Sequence, residues 1–196
     1  MKILHLPVTE EEVRALHVGD AVYVSGDMVT GRDRVHERVV KEGKMPETDL
    51  TGGAVFHAGP IVARDGEEYK TLAIGPTTSM RMEAFEADFI ERTGVRILIG
   101  KGGMGDRTAE ACRKFGAVHL MFAGGAAVLA ADKVTKTYGV EWADLGMPEA
   151  MWLLHMDEFG PLIVSVDTHG GNLFETNKRL FAERKQKALK KLAEEY

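Results

Sequence analysis

Val95-Arg96-Ile97-Leu98-Ile99-Gly100-Lys101-Gly102-Gly103-Met104-Gly105-Asp106 runs from an apolar, β-branched stretch through a glycine into a polar loop. A helix follows and ends near Phe115-Gly116. The same shape occurs twice upstream. Val22-Tyr23-Val24-Ser25-Gly26 leads to Thr30-Gly31-Arg32-Asp33 and a helix carrying Val35, Val39 and Val40. Thr71-Leu72-Ala73-Ile74-Gly75 leads to Pro76-Thr77-Thr78-Ser79 and a helix with Met82, Phe85 and Phe89 at helical spacing. Short β-branched runs alternating with helices of 3.6-residue period predict an α/β domain.

Outward from these units the chain reads as follows. Lys2 to Leu6 predicts a short strand or arm, and Thr9 with Glu12 three places on predicts a capping box opening a helix to about Leu16. Gly53 to Ile61 predicts a strand; a turn at Arg64-Asp65-Gly66 joins it to Tyr69–Ile74 as a hairpin. Ala117 to Phe122 predicts a buried strand, Ala126 to Lys133 a small-residue helix, and Pro161 to Asp167 the last strand. Phe174 to Glu195 predicts a long basic C-terminal helix. Hairpins beside strand–helix units predict a mixed sheet, in one domain over residues 1–196 with a short N-terminal arm.

At 196 residues, 44% hydrophobic and 28% charged, the composition is that of a globular domain able to bury a core. A net charge of -5 argues against non-specific nucleic-acid binding. No apolar run approaches the roughly 20 residues that span a bilayer, and Met1 to Pro7 is too short for a signal peptide. The single cysteine excludes an internal disulfide and points to a reducing cytoplasm. It also excludes an iron–sulfur cluster held by this chain alone.

Chemistry concentrates in the three loops. Each lies where a strand hands over to a helix, the usual ligand position in open α/β sheets. Each carries a cation: Arg32, Arg81 and Lys101. Two guanidinium forks, one ammonium and the hydroxyls around Thr77 suit a small di-anion, and free helix N-termini would add to that field. The Gly100–Gly105 loop matches neither a dinucleotide fingerprint nor a P-loop. A non-catalytic anion- or nucleotide-binding module is nevertheless the alternative from a different class. His36 is expected to orient a loop or sit in the core, and no two histidines have metal-ligand spacing along the chain. His5, His17, His119 and His155 are assigned to surface or core, Cys112 to a small buried hydrophobe, and Asp144 to Glu149 to a turn anchored by Trp142 and Trp152.

Thr30-Gly31-Arg32-Asp33 with His36, then Gly75-Pro76-Thr77-Thr78-Ser79-Met80-Arg81-Met82, then Ile99-Gly100-Lys101-Gly102-Gly103-Met104 resemble the C-terminal domain or β subunit of class I fumarases and L(+)-tartrate dehydratases. Gly160 to Val164 and Asp167 to Leu173 extend that resemblance over nearly the whole chain. The resemblance implies a three-layer swivelling β/β/α domain. It also implies a partner α subunit, in a hetero-oligomer such as α2β2, whose three cysteines hold a [4Fe–4S] cluster. By the same resemblance Arg32 and Arg81 bind substrate carboxylates, Lys101 binds substrate or stabilises developing charge, and Thr77 takes part in proton transfer. The implied activity is a cytoplasmic hydro-lyase of the tricarboxylic acid cycle, with reversible hydration of fumarate to L-malate first and dehydration of L(+)-tartrate to oxaloacetate second.

Overall fold

The computed structural model describes residues 2–195. Nine strands and six α-helices form among the described residues. They are β1 (Lys2–His5), α1 (Glu10–Arg14), β2 (Ala21–Thr30), α2 (Asp33–Val40), β3 (Ala54–Phe56), β4 (Ala58–Asp65), β5 (Glu68–Pro76) and α3 (Glu83–Thr93). There follow β6 (Ile97–Gly100), α4 (Asp106–Phe115), β7 (Val118–Met121), α5 (Ala127–Ala131), β8 (Val134–Glu141), β9 (Met151–Val166) and α6 (Leu173–Glu195).

The strands form one mixed sheet in the order β1-β2-β3-β6-β7-β9-β8-β5-β4, with a further pairing of β2 to β9. That pairing closes β2, β3, β6, β7 and β9 into a ring, a closure the layered expectation does not contain. The mixed sheet and the C-terminal helix are as the sequence predicts. β9 makes the ring possible because it is 16 residues long: its first half pairs with β8, its second with β7, and β2 runs along both. The expected strand from Pro161 is only the latter part of it. β8 has no counterpart in the sequence reading, and the expected strand over Gly53–Ile61 is interrupted at His57.

Alternation along the strands divides two cores. Ala54 and Phe56, Ile97 and Ile99, Val118 and Leu120, and Leu162 and Val164 pack together on one face. Val55, Leu98 and Val166 face the other way, against Val35 and Val39 of α2, Phe89 and Ile90 of α3, and Ala111 and Cys112 of α4. The three helices stack side by side on that face. Gly94 and Gly116 end α3 and α4 in the left-handed region, which glycine enters without steric penalty. The Thr9 capping box forms as expected, its hydroxyl accepting from the Glu12 N–H at 3.2 Å and the Glu12 carboxylate accepting from the Thr9 N–H at 2.8 Å.

Candidate active site

The three recurring loops do not come from neighbouring strands. β3 separates β2 from β6, and β5 lies in the sheet extension beside β4 and β8. The end of β5 nonetheless returns to the ring. The Thr77 N–H donates to the His57 carbonyl at 2.6 Å, the Lys101 N–H donates to the Thr77 carbonyl at 3.1 Å, and the Ser79 N–H donates to the Lys101 carbonyl at 3.0 Å. Thr78 and Lys101 thereby form a single parallel bridge. Thr77 and Lys101 are backbone neighbours although 24 positions apart in sequence.

Arg32 and Arg81 are joined through Asp33. The Arg81 guanidinium makes a two-pronged ion pair with Asp33, its Nε 3.0 Å from Oδ1 and its Nη2 against Oδ2. Arg32 points its Nε and Nη2 at Oε1 of Glu149, 2.6 and 2.5 Å away. Its Nη1 lies over Gly59, where a Cβ would come within 2.8 Å of it. Lys101 and Arg81 are exposed; Thr77 is buried at 8%. A Cβ on Gly124 would stand 3.7 Å from Lys101 Cδ, so the loop after β7 adjoins the ammonium stem.

The helix starts are not the open anion sites that the sequence suggests. Glu149 accepts from the Arg34 N–H at the start of α2, at 3.2 Å. Glu83 caps α4, accepting from the N–H groups of Gly105 (2.7 Å), Arg107 (3.1 Å) and Thr108 (3.2 Å) and from the Thr108 hydroxyl (2.7 Å). Gly105 is required there, since a Cβ would sit 2.6 Å from the Glu83 carboxylate. An internal carboxylate on the dipole leaves side chains as the cationic groups facing solvent. It also closes the glycine-rich loop to a nucleotide phosphate.

Beneath the loops runs a chain of fully buried polar side chains that the sequence reading left unconnected. His36 Nδ1 donates to the Arg32 carbonyl at 3.0 Å, and its Nε2 lies 3.3 Å from Oε1 of Glu86. His57 Nε2 lies 3.1 Å from Oε2 of Glu86, off the line of a good hydrogen bond, so both atoms lack an aligned partner. His57 Nδ1 meets the Ser79 hydroxyl at 3.0 Å, and Ser79 meets His119 Nε2 at 2.8 Å. His119 Nδ1 meets the Ser165 hydroxyl at 2.5 Å. Burial opposes protonation of His36, but the Glu86 charge and hydrogen bond, with the Arg32 carbonyl, hold its pKa above the ordinary value. Burial would likewise raise Glu86; the two imidazoles outweigh it and hold the carboxyl far below its usual range. His119 is lowered to about 3 by burial and by the charge of His57, and is therefore neutral. His36 and His119 thus occupy the core, one of the two places expected of them. Spacing along the chain gives no metal-ligand pair of histidines, yet in space atoms of His36, His57 and Glu86 lie within 4.8 Å of one another. Sequence spacing could not show this, because the three come from α2, the β3–β4 junction and α3.

Cys112 is fully buried in α4, and burial pushes its thiol up, away from the thiolate that metal ligation needs. This chain does not fit as a cluster ligand. The Asp144–Glu149 turn is anchored as expected: Trp152 Nε1 donates to the Met147 carbonyl at 2.8 Å, and Asp144 takes a two-pronged bond from Arg38, which lies over the Trp142 ring. A cavity of about 430 Å³ between β5 and β8 is lined by Asp65, Glu68, Lys70, Asp132 and Lys136 among others, and none of the four predicted site residues reaches it. No helix among the described residues is long and apolar enough to cross a membrane.

Fold and site together define a mixed α/β domain whose cationic loops overlie a buried polar support. The profile of the fumarase C-terminus family matches residues 2–177, and the chain belongs to that family. It is 50% identical to the Escherichia coli (strain K12) L(+)-tartrate dehydratase subunit beta over 193 residues, 98% of this chain and 96% of that protein. A Methanocaldococcus jannaschii protein, provisionally named L(+)-tartrate dehydratase subunit beta, is 39% identical over 89% of this chain and 92% of its own length. A Geobacillus stearothermophilus protein, provisionally named class I fumarate hydratase, is 39% identical over 88% of this chain and one third (33%) of its own length. The likeness to the Escherichia coli protein, a tartrate dehydratase β subunit, thus extends over nearly the whole chain.

Proposed function

We propose that this chain supplies the carboxylate-binding half of a hydro-lyase site completed by a cluster-bearing α subunit, and that the substrate is a four-carbon dicarboxylate. The observation that carries the reading is the backbone zipper of His57, Thr77, Lys101 and Ser79, which brings the β5 loop onto the β6 loop, with Arg32 and Arg81 tied together through Asp33. Arg32 and Arg81 each spend one edge of the guanidinium on an internal carboxylate and leave Nη1 for a substrate carboxylate. Lys101 holds the carboxylate next to the carbon that loses or gains a proton, where its charge stabilises enolate-like build-up. Thr77, the backbone neighbour of Lys101, passes that proton, its hydroxyl's ionisation eased when the ammonium is drawn alongside.

The fully buried Cys112 supports a reading in which the partner ligates the cluster, whose [4Fe–4S] group would supply Lewis-acid assistance at the hydroxyl-bearing carbon. An open rim rather than an enclosed pocket is what a shared site requires of one half. The expected swivelling layered domain, an αβ hetero-oligomer and a cytoplasmic setting belong to this proposal. L(+)-tartrate stands first as substrate, on the whole-length likeness to the Escherichia coli protein; fumarate and L-malate, placed first from the sequence, stand second on the likeness to the Geobacillus protein.

The test is anaerobic co-expression with the candidate α subunit and assay on L(+)-tartrate, D-tartrate, L-malate and fumarate. The complex is expected to dehydrate at least one hydroxy diacid and the chain alone none. Activity from the purified chain without a cluster would overturn the shared site. A complex acting on fumarate and L-malate but not on tartrate would reverse the order of substrates.

A further inference from the structure

We infer that the buried chain His36–Glu86–His57–Ser79–His119 is a clamp that sets the spacing of the site loops, with Ser79 and His57 as positioning residues for Thr77 and Lys101, and Glu86 and His36 for Arg32. The inference rests on the function proposed above and names the support beneath it. The clamp touches two site loops. His36 holds the Arg32 carbonyl, while the Ser79 hydroxyl lies two residues from Thr77 in the same turn. The middle is ionic, Glu86 lying between two imidazoles at 3.3 and 3.1 Å with all three side chains fully buried. The far end is anchored to the ring strands, since His119 is on β7 and Ser165 on β9.

The ring nitrogens of His36 and His119 and Nδ1 of His57 each have a hydrogen-bond partner, and the Ser165 hydroxyl also donates to the His119 carbonyl at 3.3 Å; only the His57–Glu86 contact is ionic without an aligned hydrogen bond. A buried polar network held by these bonds favours one arrangement, since a shift would leave further desolvated groups unpaired beside His57 Nε2 and Glu86 Oε2. Gly100 belongs to the same design. A Cβ there would fall 2.0 Å from the Ser79 hydroxyl and 3.1 Å from His57 Nδ1, so the residue before Lys101 must be glycine for the clamp to close. A two-histidine, one-carboxylate metal site is the competing use of these atoms. Full burial, and the hydrogen bonds that already engage His36 Nδ1 with the Arg32 carbonyl and His57 Nδ1 with Ser79, favour the clamp.

The experiment uses the full chain and its complex with the α subunit. Ser79→Ala removes the hydroxyl and Gly100→Ala displaces it from the opposite side. In the complex, both are expected to lower kcat by about 10²-fold, the scale of a 1 Å misplacement, with KM held within about threefold. In the full chain, both are expected to speed hydrogen exchange at the Lys101 amide, which donates to the Thr77 carbonyl. Glu86→Gln keeps the shape and removes the charge; it is expected to raise KM through Arg32 more than Ser79→Ala does. Unchanged Lys101 exchange together with kcat within about twofold of wild type in both Ser79→Ala and Gly100→Ala would overturn the clamp. So would one equivalent of transition metal in the isolated chain that Glu86→Gln abolishes. If the complex has no hydro-lyase activity at all, the functional reading fails, and the exchange measurement still decides the clamp.

Discussion

Arg32 and Glu149 face each other across 117 positions of sequence, with Nε 2.6 Å and Nη2 2.5 Å from the same carboxylate oxygen. Glu149 also accepts from the first turn of α2 through the Arg34 N–H. One carboxylate therefore aims the guanidinium and occupies the helix start, and the direction in which Nη1 points follows from that double use.

Arg32→Lys keeps the charge and loses the planar fork. We expect kcat/KM of the reconstituted complex to fall by about 10²-fold, and Glu149→Gln to cause a smaller fall, because the fork stays but is no longer held. Steady-state kinetics on L(+)-tartrate and L-malate would show this, and a near-normal Arg32→Lys enzyme would remove Arg32 from the site.

Lys101 is exposed, and its backbone, not its side chain, makes the contacts to Thr77 and Ser79. Lys101→Met should therefore melt within a few degrees of the wild type while kcat drops by about 10²–10³-fold, the scale seen when a group stabilising developing negative charge is removed. A large loss of Tm with little loss of kcat would assign Lys101 to structure. Arg81→Ala should likewise cost orders of magnitude in kcat/KM.

Asp167 gathers three N–H groups around one carboxylate: Val18 at 2.9 Å, His169 at 2.9 Å and Gly171 at 2.8 Å. Burial works against its charge, but these donors and His169 outweigh it and hold the carboxyl below its ordinary value of 3.8. A depressed folded pKa adds stability that is complete above the unfolded value and disappears as pH falls through the folded one. Asp167→Asn should thus be less stable than the wild type at pH 7, by about 1–3 kcal/mol, with the gap narrowing once pH drops below about 4. Thermal melts from pH 7 to pH 2.5 would test it; a gap constant over that range would refute the assignment.

Gly103 is the seat of the C-terminal helix. A Cβ there would come within 2.4 Å of the Phe174 ring, and Asn172 ties the same loop by donating to the Met104 carbonyl at 2.9 Å. Gly103→Ala should destabilise by about 1–3 kcal/mol through overpacking, and Gly103→Ala/Phe174→Ala should recover part of that loss. Denaturant titration of the two variants and of Phe174→Ala alone would close the cycle; strict additivity would show that the contact is not made.

The sequence by itself determined what depends on near neighbours. The Thr9–Glu12 cap, the hairpin turning at Gly66, the helices α2, α3 and α4, and α6 within a residue of its start all follow from period, cap and turn chemistry acting over a few residues. The motif trio also marked Arg32, Thr77, Arg81 and Lys101, because the resemblance rests on residue identity rather than on contact. Tertiary structure alone decided how these meet. β5 pairs within the sheet extension; its end returns to the ring through the pairing of Pro76 with Ala58, just past β3, and the hydrogen bonds of Thr77 and Ser79 to His57 and Lys101. The same holds for the closure of β2 on β9, the carboxylates of Glu149 and Glu83 on the helix starts, and the histidines around Glu86. Those relationships join residues tens of positions apart, and their energy lies in packing and desolvation, which leave no periodic mark along the chain.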